Sequence, residues 1–291
     1  MINLYISPYS SSTPIVNLIN SSTKVLDINA YMITNTKIIN AISKASKRGV
    51  KVYVILEEKP YFRSKSKRQA FVNKEISSLK KAGATIISSP SKFRFDHAKY
   101  ICNNFECEFG TPNYTYNSFN KNREYYIVTS TPETVQTLHK LFQADYNNST
   151  FCNTNSNLII SPGVTNDIID LIKQPGKVYL EEEELGTDKS ILSAIASKGA
   201  NAELIIPASE KYYAKKSISY LTSYGVKIRY MPSSTYMHAK LIIGNNKGFL
   251  GSENLSYTSL NKNREVGTYI TGNILEEAQN QFNKDWGIAK Y

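Results

Sequence analysis

A stretch of 28 residues occurs twice in this chain of 291 residues, and it limits the possible folds more than any other feature. The first copy runs from His97 to Glu124 and the second from His238 to Glu265. At a constant offset of 141 residues, half of the aligned positions are identical. A long internal repeat indicates two structural units of similar architecture. The segments around each copy also correspond, so we expect two similar halves that share a core.

Short apolar runs alternate with segments of helical periodicity in both halves, and the order is the same in each. In the first half the pattern predicts strands over Val25 to Ile33 and Val50 to Leu56. It predicts helices over Ile38 to Lys47, with Asn35 as N-cap, and over Gln69 to Lys81. This alternation predicts an α/β fold made of two pseudo-symmetric sandwich repeats.

A run of turn-forming residues from Asn147 to Asn155 predicts the boundary between the halves. We therefore expect one repeat at residues 1–149 and a second at residues 150–291. No stretch approaches about 18 apolar residues, so no transmembrane helix is expected. The N-terminus lacks both a basic leader and a long apolar run, which favours a cytoplasmic protein. Three cysteines, Cys102, Cys107 and Cys152, are an odd number without metal-site spacing, a pattern typical of reduced thiols.

The net charge of +11 is concentrated in the first half of the chain. Residues 1–150 contain 20 Lys and Arg against 10 Asp and Glu, whereas residues 151–291 contain 15 against 14. Between Lys59 and Arg94 there are ten basic residues and a single acidic one, Glu75. A field of this sign attracts polyanions, above all nucleic acid, or anionic lipid surfaces.

Each copy of the repeat opens with a histidine and a lysine two positions apart, which project from the same face of an extended strand. A glycine, a small hydroxyl residue, an asparagine and a glutamate follow in each copy: Gly110, Thr111, Asn113 and Glu124 after His97 and Lys99, and Gly251, Ser252, Asn254 and Glu265 after His238 and Lys240. A glutamate at this spacing can accept the imidazole Nδ1 proton and leave Nε2 free to react. Two such sets in one cleft would hold an anion between a nucleophile and an acid.

This pattern resembles the HKD motifs of the phospholipase D superfamily, in which HxK is followed by a glycine, a small hydroxyl residue and an asparagine. The motif is present twice, and the resemblance extends over nearly the whole chain. The family usually has Asp five residues after the lysine, where this chain has Asn104 and Asn245. In the family that Asp is generally structural, so the departure bears on the chemistry very little. The resemblance implies that the active site lies between the two repeats.

The resemblance also implies an enzyme, a phosphodiester hydrolase that acts through a covalent phosphohistidine. One histidine attacks phosphorus, and the other protonates the leaving oxygen and then activates water. We take His97 as the nucleophile, because the first histidine often serves in relatives with two motifs.

The other motif residues receive supporting roles from the same resemblance. Charge on the non-bridging oxygens would be stabilised by Lys99, Lys240, Asn113 and Asn254, the task that a metal performs elsewhere. Neither a metal nor another cofactor is therefore expected. The histidines would be oriented by Glu124 and Glu265. Hydrogen bonds at the substrate would come from Thr111 and Ser252. Independently of the resemblance, Arg123 and Arg264 in the repeated NKNRE could contact phosphate or pair with carboxylates, and we favour the structural role.

The first half carries eight extra residues between Gly49 and Gly83, an interval of 34 residues against 26 between Gly199 and Gly225. The extra residues fall in a basic segment that we call the arm, whose candidate substrate-binding residues are Tyr61, Arg63, Lys65, Lys67 and Arg68. Loops that leave the carboxyl ends of strands line the ligand crevice in α/β folds. The arm is therefore predicted to follow phosphates beside an aromatic platform. A solvated charged loop is the alternative.

Three functions fit these residues. The first is a nuclease, and more specifically an endonuclease, that cleaves DNA or RNA without a metal. The second is a phospholipase D or phosphatidyl transferase, which would need an apolar entrance or an interfacial helix. The third is an inactive relative that only binds nucleic acid. Nucleic acid is the expected partner, and a site within one chain favours a monomer, with a homo-oligomer left open. For Glu181 to Glu184 we favour a partly exposed strand with one carboxylate near the cleft over a metal site.

Overall fold

The computed structural model describes all residues from Met1 to Tyr291. The first half contains seven strands and five helices: β1 (Ile2–Ser7), α1 (Thr13–Ser21), β2 (Val25–Ala30), α2 (Thr36–Lys47), β3 (Lys51–Leu56), α3 (Lys65–Lys81), β4 (Thr85–Ser88), β5 (Tyr100–Cys102), β6 (Cys107–Gly110), α4 (Tyr116–Asn120), β7 (Asn122–Thr129) and α5 (Pro132–Tyr146).

The second half repeats this order with one additional short strand and one additional short helix. Its elements are β8 (Leu158–Ser161), α6 (Thr165–Ile172), β9 (Val178–Glu182), α7 (Lys189–Ala196), β10 (Ala202–Pro207), α8 (Glu210–Tyr213), α9 (Lys215–Ser223), β11 (Lys227–Met231), β12 (Tyr236–Met237), β13 (Lys240–Ile243), β14 (Gly248–Gly251), α10 (Tyr257–Asn261), β15 (Glu265–Ile270) and α11 (Gly272–Ile288).

Each half builds one mixed sheet, and the two sheets have the same topology. The first sheet has the order β1-β7-β6-β5-β2-β3-β4, and the second, read in the same sense, has β8-β15-β14-β13-β9-β10-β11. Strands β2, β3 and β4 run parallel, as do β9, β10 and β11, while the motif strands of each sheet pair antiparallel. The predicted α/β fold of two pseudo-symmetric repeats is confirmed.

One hydrophobic cluster of 27 buried residues joins the two halves. It combines Tyr100 and Tyr125 of the first sheet with Leu241 of the second, and it includes Phe142 of α5 and Phe282 of α11. Two further clusters, of 24 and 22 residues, lie within the second and the first half respectively. The halves therefore share a core, as the repeat predicted.

Two buried ion pairs also cross between the halves. Arg123 on β7 donates to both carboxylate oxygens of Asp285 on α11, at 2.6 and 2.9 Å. Arg264, just before β15, does the same with Asp145 on α5, at 2.8 and 2.9 Å. Both arginines are less than a tenth exposed, which supports the structural interpretation of these side chains.

Helix α3 begins four residues earlier than the predicted Gln69. The hydroxyl of Ser64 accepts a hydrogen bond from the Lys67 amide at 3.4 Å and caps the helix, an N-terminal signal that Ser residues commonly supply. Lys65 and Lys67 therefore lie in the first helical turn rather than in a loop.

The prediction of reduced thiols is wrong for two of the three cysteines. Cys102 on β5 and Cys107 on β6 are direct partners across an antiparallel pair, and they form a disulfide. Their Cα atoms lie 4.1 Å apart because the hairpin register places them opposite each other. Cys152 is free and exposed.

Candidate active site

The two halves exchange short extended segments, and this exchange assembles the site. In the second half, β12 pairs in parallel with β7 of the first sheet, with Met237 opposite Arg123. In the first half, Asp96 forms the matching parallel bridge with Arg264. The next residue in each case is the motif histidine, whose amide donates to the carbonyl of the same arginine, at 2.8 Å for His97 and 3.1 Å for His238. Each histidine thus lies against the glutamate that follows that arginine.

The histidine of each motif is bound by the glutamate of the other half. His97 Nδ1 lies 2.8 Å from Glu265 Oε2, and His238 Nδ1 lies 2.8 Å from Glu124 Oε2. Both glutamates are fully buried, whereas the side chains of His97 and His238 keep 13% and 9% of their surface exposed. A carboxylate at Nδ1 sets the ring orientation and directs Nε2 toward the opening.

Other polar groups hold these carboxylates in place. Glu124 accepts from the Thr111 hydroxyl at 2.6 Å and from Asn122 Nδ2 at 2.9 Å. Glu265 accepts from the Ser259 hydroxyl at 2.6 Å and from Asn263 Nδ2 at 2.9 Å. Burial alone would raise the pKa of Glu265, but the adjacent His97 and Lys99 outweigh it and lower that pKa.

Lys99 and Lys240 are fully buried and lie beside the histidines. Each ammonium group donates to the backbone carbonyl of its own motif histidine. Burial lowers the pKa of Lys99 to about 7. Burial also lowers the pKa of His97, and the charges of Lys99 and Lys240 act in the same direction. Because Lys240 of the second motif influences His97 of the first, the two motifs form one electrostatic unit.

The asparagines of the two motifs keep unused hydrogen-bonding capacity. The Oδ1 atoms of Asn113 and Asn254 are buried and have no partner within the chain. Asn113 lines a cleft of about 560 Å³ together with His238. Buried polar groups without a partner are uncommon and often belong to functional sites. Asn113 thus lies at the cleft beside His238, whereas Asn254 Nδ2 donates to Glu184 Oε2 at 3.4 Å.

Comparison with known proteins identifies the family. The sequence matches the family model described as cardiolipin synthase, PLD-like domain, over residues 15–146 and 176–286, which together make up more than half of the chain. The chain belongs to the phospholipase D superfamily. No curated protein sequence matches it significantly.

Two solved structures align with almost the whole chain. Phosphatidylserine synthase from Haemophilus influenzae Rd KW20 aligns over 99% of this chain and 87% of its own, with a TM-score of 0.73 and 13% identity. Polyphosphate kinase from Porphyromonas gingivalis aligns over 96% of this chain with a TM-score of 0.73 and 16% identity, but the chain spans only 46% of that protein. The family member Nuc from Salmonella typhimurium aligns over 53% of this chain and 99% of its own, with a TM-score of 0.45 and 22% identity. At these identities, the likeness to the first two structures shows the fold alone.

Within this phospholipase D site, the hydroxyls of Thr111 and Ser252 are turned inward. Both residues are fully buried. Thr111 donates to Glu124, and the Ser252 hydroxyl accepts from the Val266 amide at 3.0 Å. The expected contact of these residues with substrate stays a prediction; within the chain, their hydroxyls bond the Glu124 carboxylate and the backbone of β15.

The arm lies next to the first motif. The Tyr61 amide donates to the Tyr31 hydroxyl at 2.6 Å, and the Tyr31 ring meets the His97 ring edge-on at 4.6 Å between centroids. Arg63 donates to the Tyr213 hydroxyl of the second half at 2.9 Å. The Tyr61 side chain is 72% exposed, and the lysines at positions 65 and 67 are exposed as well. The arm is therefore near the site and open to a large ligand.

Among Glu181 to Glu184, the residue that contacts the second motif's histidine and lysine is Glu183. Its Oε2 atom lies 2.7 Å from Lys240 Nζ and 3.3 Å from His238 Nε2. Glu181 and Glu182 are fully buried in β9. Sequence alone favoured one carboxylate near the cleft, but it did not indicate which one, because the matching stretch of the first half contains no glutamate.

Asn104, which replaces the usual Asp of the superfamily motif, has a structural role. Its Oδ1 accepts from the Lys24 amide at 3.0 Å and from the Val25 amide at 3.4 Å, at the start of β2. A carboxylate would accept the same bonds, so the replacement preserves the function of this position.

Proposed function

We propose that this chain is a metal-independent phosphodiesterase that works through a covalent phosphohistidine. The observation that carries the proposal is the crossed pairing of His97 with Glu265 and of His238 with Glu124. It supplies two oriented imidazoles in one site, with two buried lysines beside them. This set can perform phosphoryl transfer by nucleophilic and acid–base catalysis.

The first step forms a bond between His97 Nε2 and phosphorus. His97 is suited to attack because its lowered pKa favours the neutral ring, and its Nε2 makes no hydrogen bond within the chain. As the bond from phosphorus to the leaving oxygen breaks, His238 gives that oxygen the Nε2 proton. Lys99 and Lys240 stabilise the charge on the non-bridging oxygens.

The second step releases the enzyme. His238, now neutral, takes a proton from a water molecule whose oxygen attacks phosphorus. The phosphorus–nitrogen bond breaks, and His97 recovers its lone pair. The Nδ2 group of Asn113, which makes no hydrogen bond within the chain, donates to the same phosphoryl oxygens as the two lysines in both steps, so one set of residues supports two chemically similar transition states.

Nucleic acid is the substrate that we propose, and the enzyme then acts as an endonuclease on DNA or RNA. The excess of basic residues in the first half supports this choice, since a polynucleotide offers many phosphates. The arm adds an exposed tyrosine and cationic side chains next to His97, the combination that binds single strands by stacking and charge. One chain supplies both motifs, so we propose a monomeric enzyme.

A phospholipid substrate is the second candidate, and the family match favours it. The matching model is described as cardiolipin synthase, PLD-like domain. The same two steps would then transfer a phosphatidyl group to water or to an alcohol. None of the helices combines the length and the apolar character needed to cross a bilayer.

The test is cleavage of labelled single- and double-stranded DNA and RNA in EDTA, with phosphatidylglycerol vesicles as a parallel substrate. We expect the wild type to cut nucleic acid, and His97→Ala and His238→Ala to lose cutting. The matched control is His139→Gln. His139 is the third histidine of the chain and lies on α5, where its ring bonds the Asp27 carboxylate and the Asn103 carbonyl.

Mixing the two inactive variants supplies a further control. A site built by one chain stays inactive in the mixture, whereas a site shared between chains recovers part of its activity. Turnover of the lipid alone would replace the nuclease proposal with the second candidate. Failure to cut any diester would favour an inactive relative and contradict both.

A further inference from the structure

The two halves carry different residues at one equivalent position, and in each half that residue contacts the histidine and the lysine of the motif. Ile33 bridges to Tyr114 in the first half, and Leu185 bridges to Leu255 at the corresponding place in the second. Two residues before these bridges stand Tyr31 and Glu183 respectively. The pseudo-symmetry of the fold thus places an aromatic ring in one half where the other half has a carboxylate.

The surroundings of these two side chains correspond closely. The Tyr31 ring lies edge-on to His97, with Lys99 Nζ 5.0 Å from its centroid. Glu183 Oε2 lies 3.3 Å from His238 Nε2 and 2.7 Å from Lys240 Nζ. The first motif therefore meets a neutral ring, and the second meets a negative charge.

His238 consequently has a carboxylate at each ring nitrogen, Glu124 at Nδ1 and Glu183 at Nε2. Glu124 accepts the proton on Nδ1, and a carboxylate 3.3 Å from Nε2 favours a proton there as well, because it stabilises the positively charged ring. His97 has a carboxylate at Nδ1 alone. We propose that Glu183 holds the second proton on His238 and thereby makes His238 the acid of the site and His97 the nucleophile. This inference rests on the proposed two-histidine phosphoryl transfer.

The charges around the pair are compatible with this role. Burial alone would raise the pKa of Glu183, but His238 and Lys240 outweigh it and lower the pKa to about 2, so the carboxylate is ionised at neutral pH. The other charged and titratable groups that face Glu183 and His238 are Glu124, Lys99, His97, Glu265, Glu182, Glu184, Glu210, Tyr31 and Tyr236. The Tyr236 hydroxyl also donates to Glu183 Oε1 at 3.2 Å and fixes the carboxylate.

The proton balance of the first step then follows. The leaving oxygen takes the Nε2 proton of His238, and the ring becomes neutral while it keeps the proton that it shares with Glu124. Glu183 loses one ionic partner but remains paired with Lys240. In the second step water returns a proton to Nε2, and the starting arrangement is restored. Glu183 is a positioning residue, because it acts through His238 and not on phosphorus.

The first test needs no substrate. Nitrogen NMR of the full chain with labelled histidine, at neutral pH, reports the protons on each ring. We expect the wild-type His238 to carry a proton on both nitrogens and His97 to carry one. Glu183→Gln is expected to leave a single proton on His238 and to leave His97 unchanged. A neutral His238 in the wild type, or an unchanged signal in the variant, would overturn the inference.

The second test compares two leaving groups. With a dinucleotide, whose leaving alkoxide needs a proton, we expect Glu183→Gln to lower kcat about 10- to 100-fold at mildly alkaline pH and to shift the alkaline fall of kcat to lower pH. With a p-nitrophenyl diester, whose leaving group needs no proton, the pre-steady-state burst should stay near the wild-type rate. Glu183→Asp should restore much of the activity, and Glu277→Gln, an exposed glutamate of α11, is the control for net charge.

The outcomes separate this inference from the proposed function. A lower KM with unchanged kcat and pH profile would mean that Glu183 merely competes with phosphate, and it would contradict the inference. If no diester is turned over while NMR shows the expected protons, the proposed function fails and the assignment of the proton to Glu183 stands.

Discussion

Glu124 and Glu265 bind the histidines that belong to the opposite half of the chain. Each carboxylate is fully buried and binds Nδ1 at 2.8 Å, so it sets both the ring orientation and the tautomer. A glutamine at either position could present its NH₂ group to Nδ1 and favour a proton on Nε2. The nucleophilic lone pair of His97 would then be lost from the cleft.

We therefore predict that Glu265→Gln lowers kcat by about 10²- to 10⁴-fold while KM changes little, because the loss falls on the attacking group. Steady-state kinetics on a diester substrate measure both constants. Glu277→Gln again controls for net charge. A variant with wild-type kcat would show that Glu265 does not orient the nucleophile.

We expect Lys99 to make anion binding dependent on pH. Its pKa is lowered from 10.5 to about 7, so the unfolded chain binds more protons than the folded chain between these values, and the contribution of Lys99 to stability rises with pH there. A bound anion favours the charged ammonium group. Above neutral pH, Lys99 must take up a proton when an anion binds.

The affinity for sulfate, whose own charge is constant near neutral pH, is therefore expected to fall as the pH rises above about 7, by at most about tenfold per pH unit. Competition of sulfate with a diester substrate, or calorimetry, measures it. Lys99→Gln should bind sulfate more weakly and flatten the pH dependence. A wild-type affinity that stays constant above neutral pH would contradict the role of Lys99.

The sequence indicated the candidate site residues, but it did not indicate which glutamate pairs with which histidine. Repetition at a fixed offset identified His97, Lys99 and their counterparts, because the same residue types stand at matching positions of both halves. Spacing alone could not show that each glutamate serves the other half, since this depends on the exchange of β12 and its matching segment. Glu183 was not singled out, because its counterpart Tyr31 is a different residue type.

At the level of secondary structure, the start of helix α3 was predicted too late because it lies in a basic segment. Lys65, Lys67 and Arg68 give the first turn no apolar periodicity, so the sequence predicted a loop up to Gln69, whereas the Ser64 cap starts the helix earlier. Its opening turn carries the exposed cations of the arm at positions 65 and 67. The hairpin disulfide was missed for a related reason, since strand register was not known.

Neutralising the arm by alanine at Lys65, Lys67 and Arg68 should weaken the binding of single-stranded DNA or RNA. The slope of log affinity against log salt should become shallower by about 0.7 for each phosphate that the variant no longer neutralises. Binding titrations at several salt concentrations measure both the affinity and the slope. The matched control is alanine at Lys37, Lys44 and Lys47, three exposed lysines of α2. Equal effects of the two triple variants would show that the arm contributes only its net charge, and they would contradict a specific role in binding the strand.

In the whole molecule, we expect the two halves to depend on each other for stability. The shared cluster of 27 residues and the two buried arginine–aspartate pairs connect the halves, in addition to the cluster that each half has of its own. The same repeat that predicted two units thus produces a single cooperative structure. Unfolding is expected to be one transition that Trp286 fluorescence and circular dichroism report together.

Asp285→Asn is predicted to lower the free energy of unfolding by about 3–5 kcal/mol, because Arg123 would stay buried without its carboxylate. Urea denaturation measures the loss, and Asp170→Asn, on the exposed face of α6, is the control. The double variant Arg123→Met with Asp285→Leu should be less destabilised than the single one. A negligible loss in Asp285→Asn would show that the crossed ion pairs do not join the halves.

The proposed mechanism requires that His97 of one half and His238 of the other act in sequence on one phosphorus atom. Trapping of the covalent intermediate tests it directly, with a radiolabelled p-nitrophenyl diester and the variant His238→Ala. The leaving group needs no acid, but water is not activated, so label should accumulate on the peptide that contains His97. No label on any histidine, or label on His238 in the wild type, would contradict the assignment of His97 as the nucleophile.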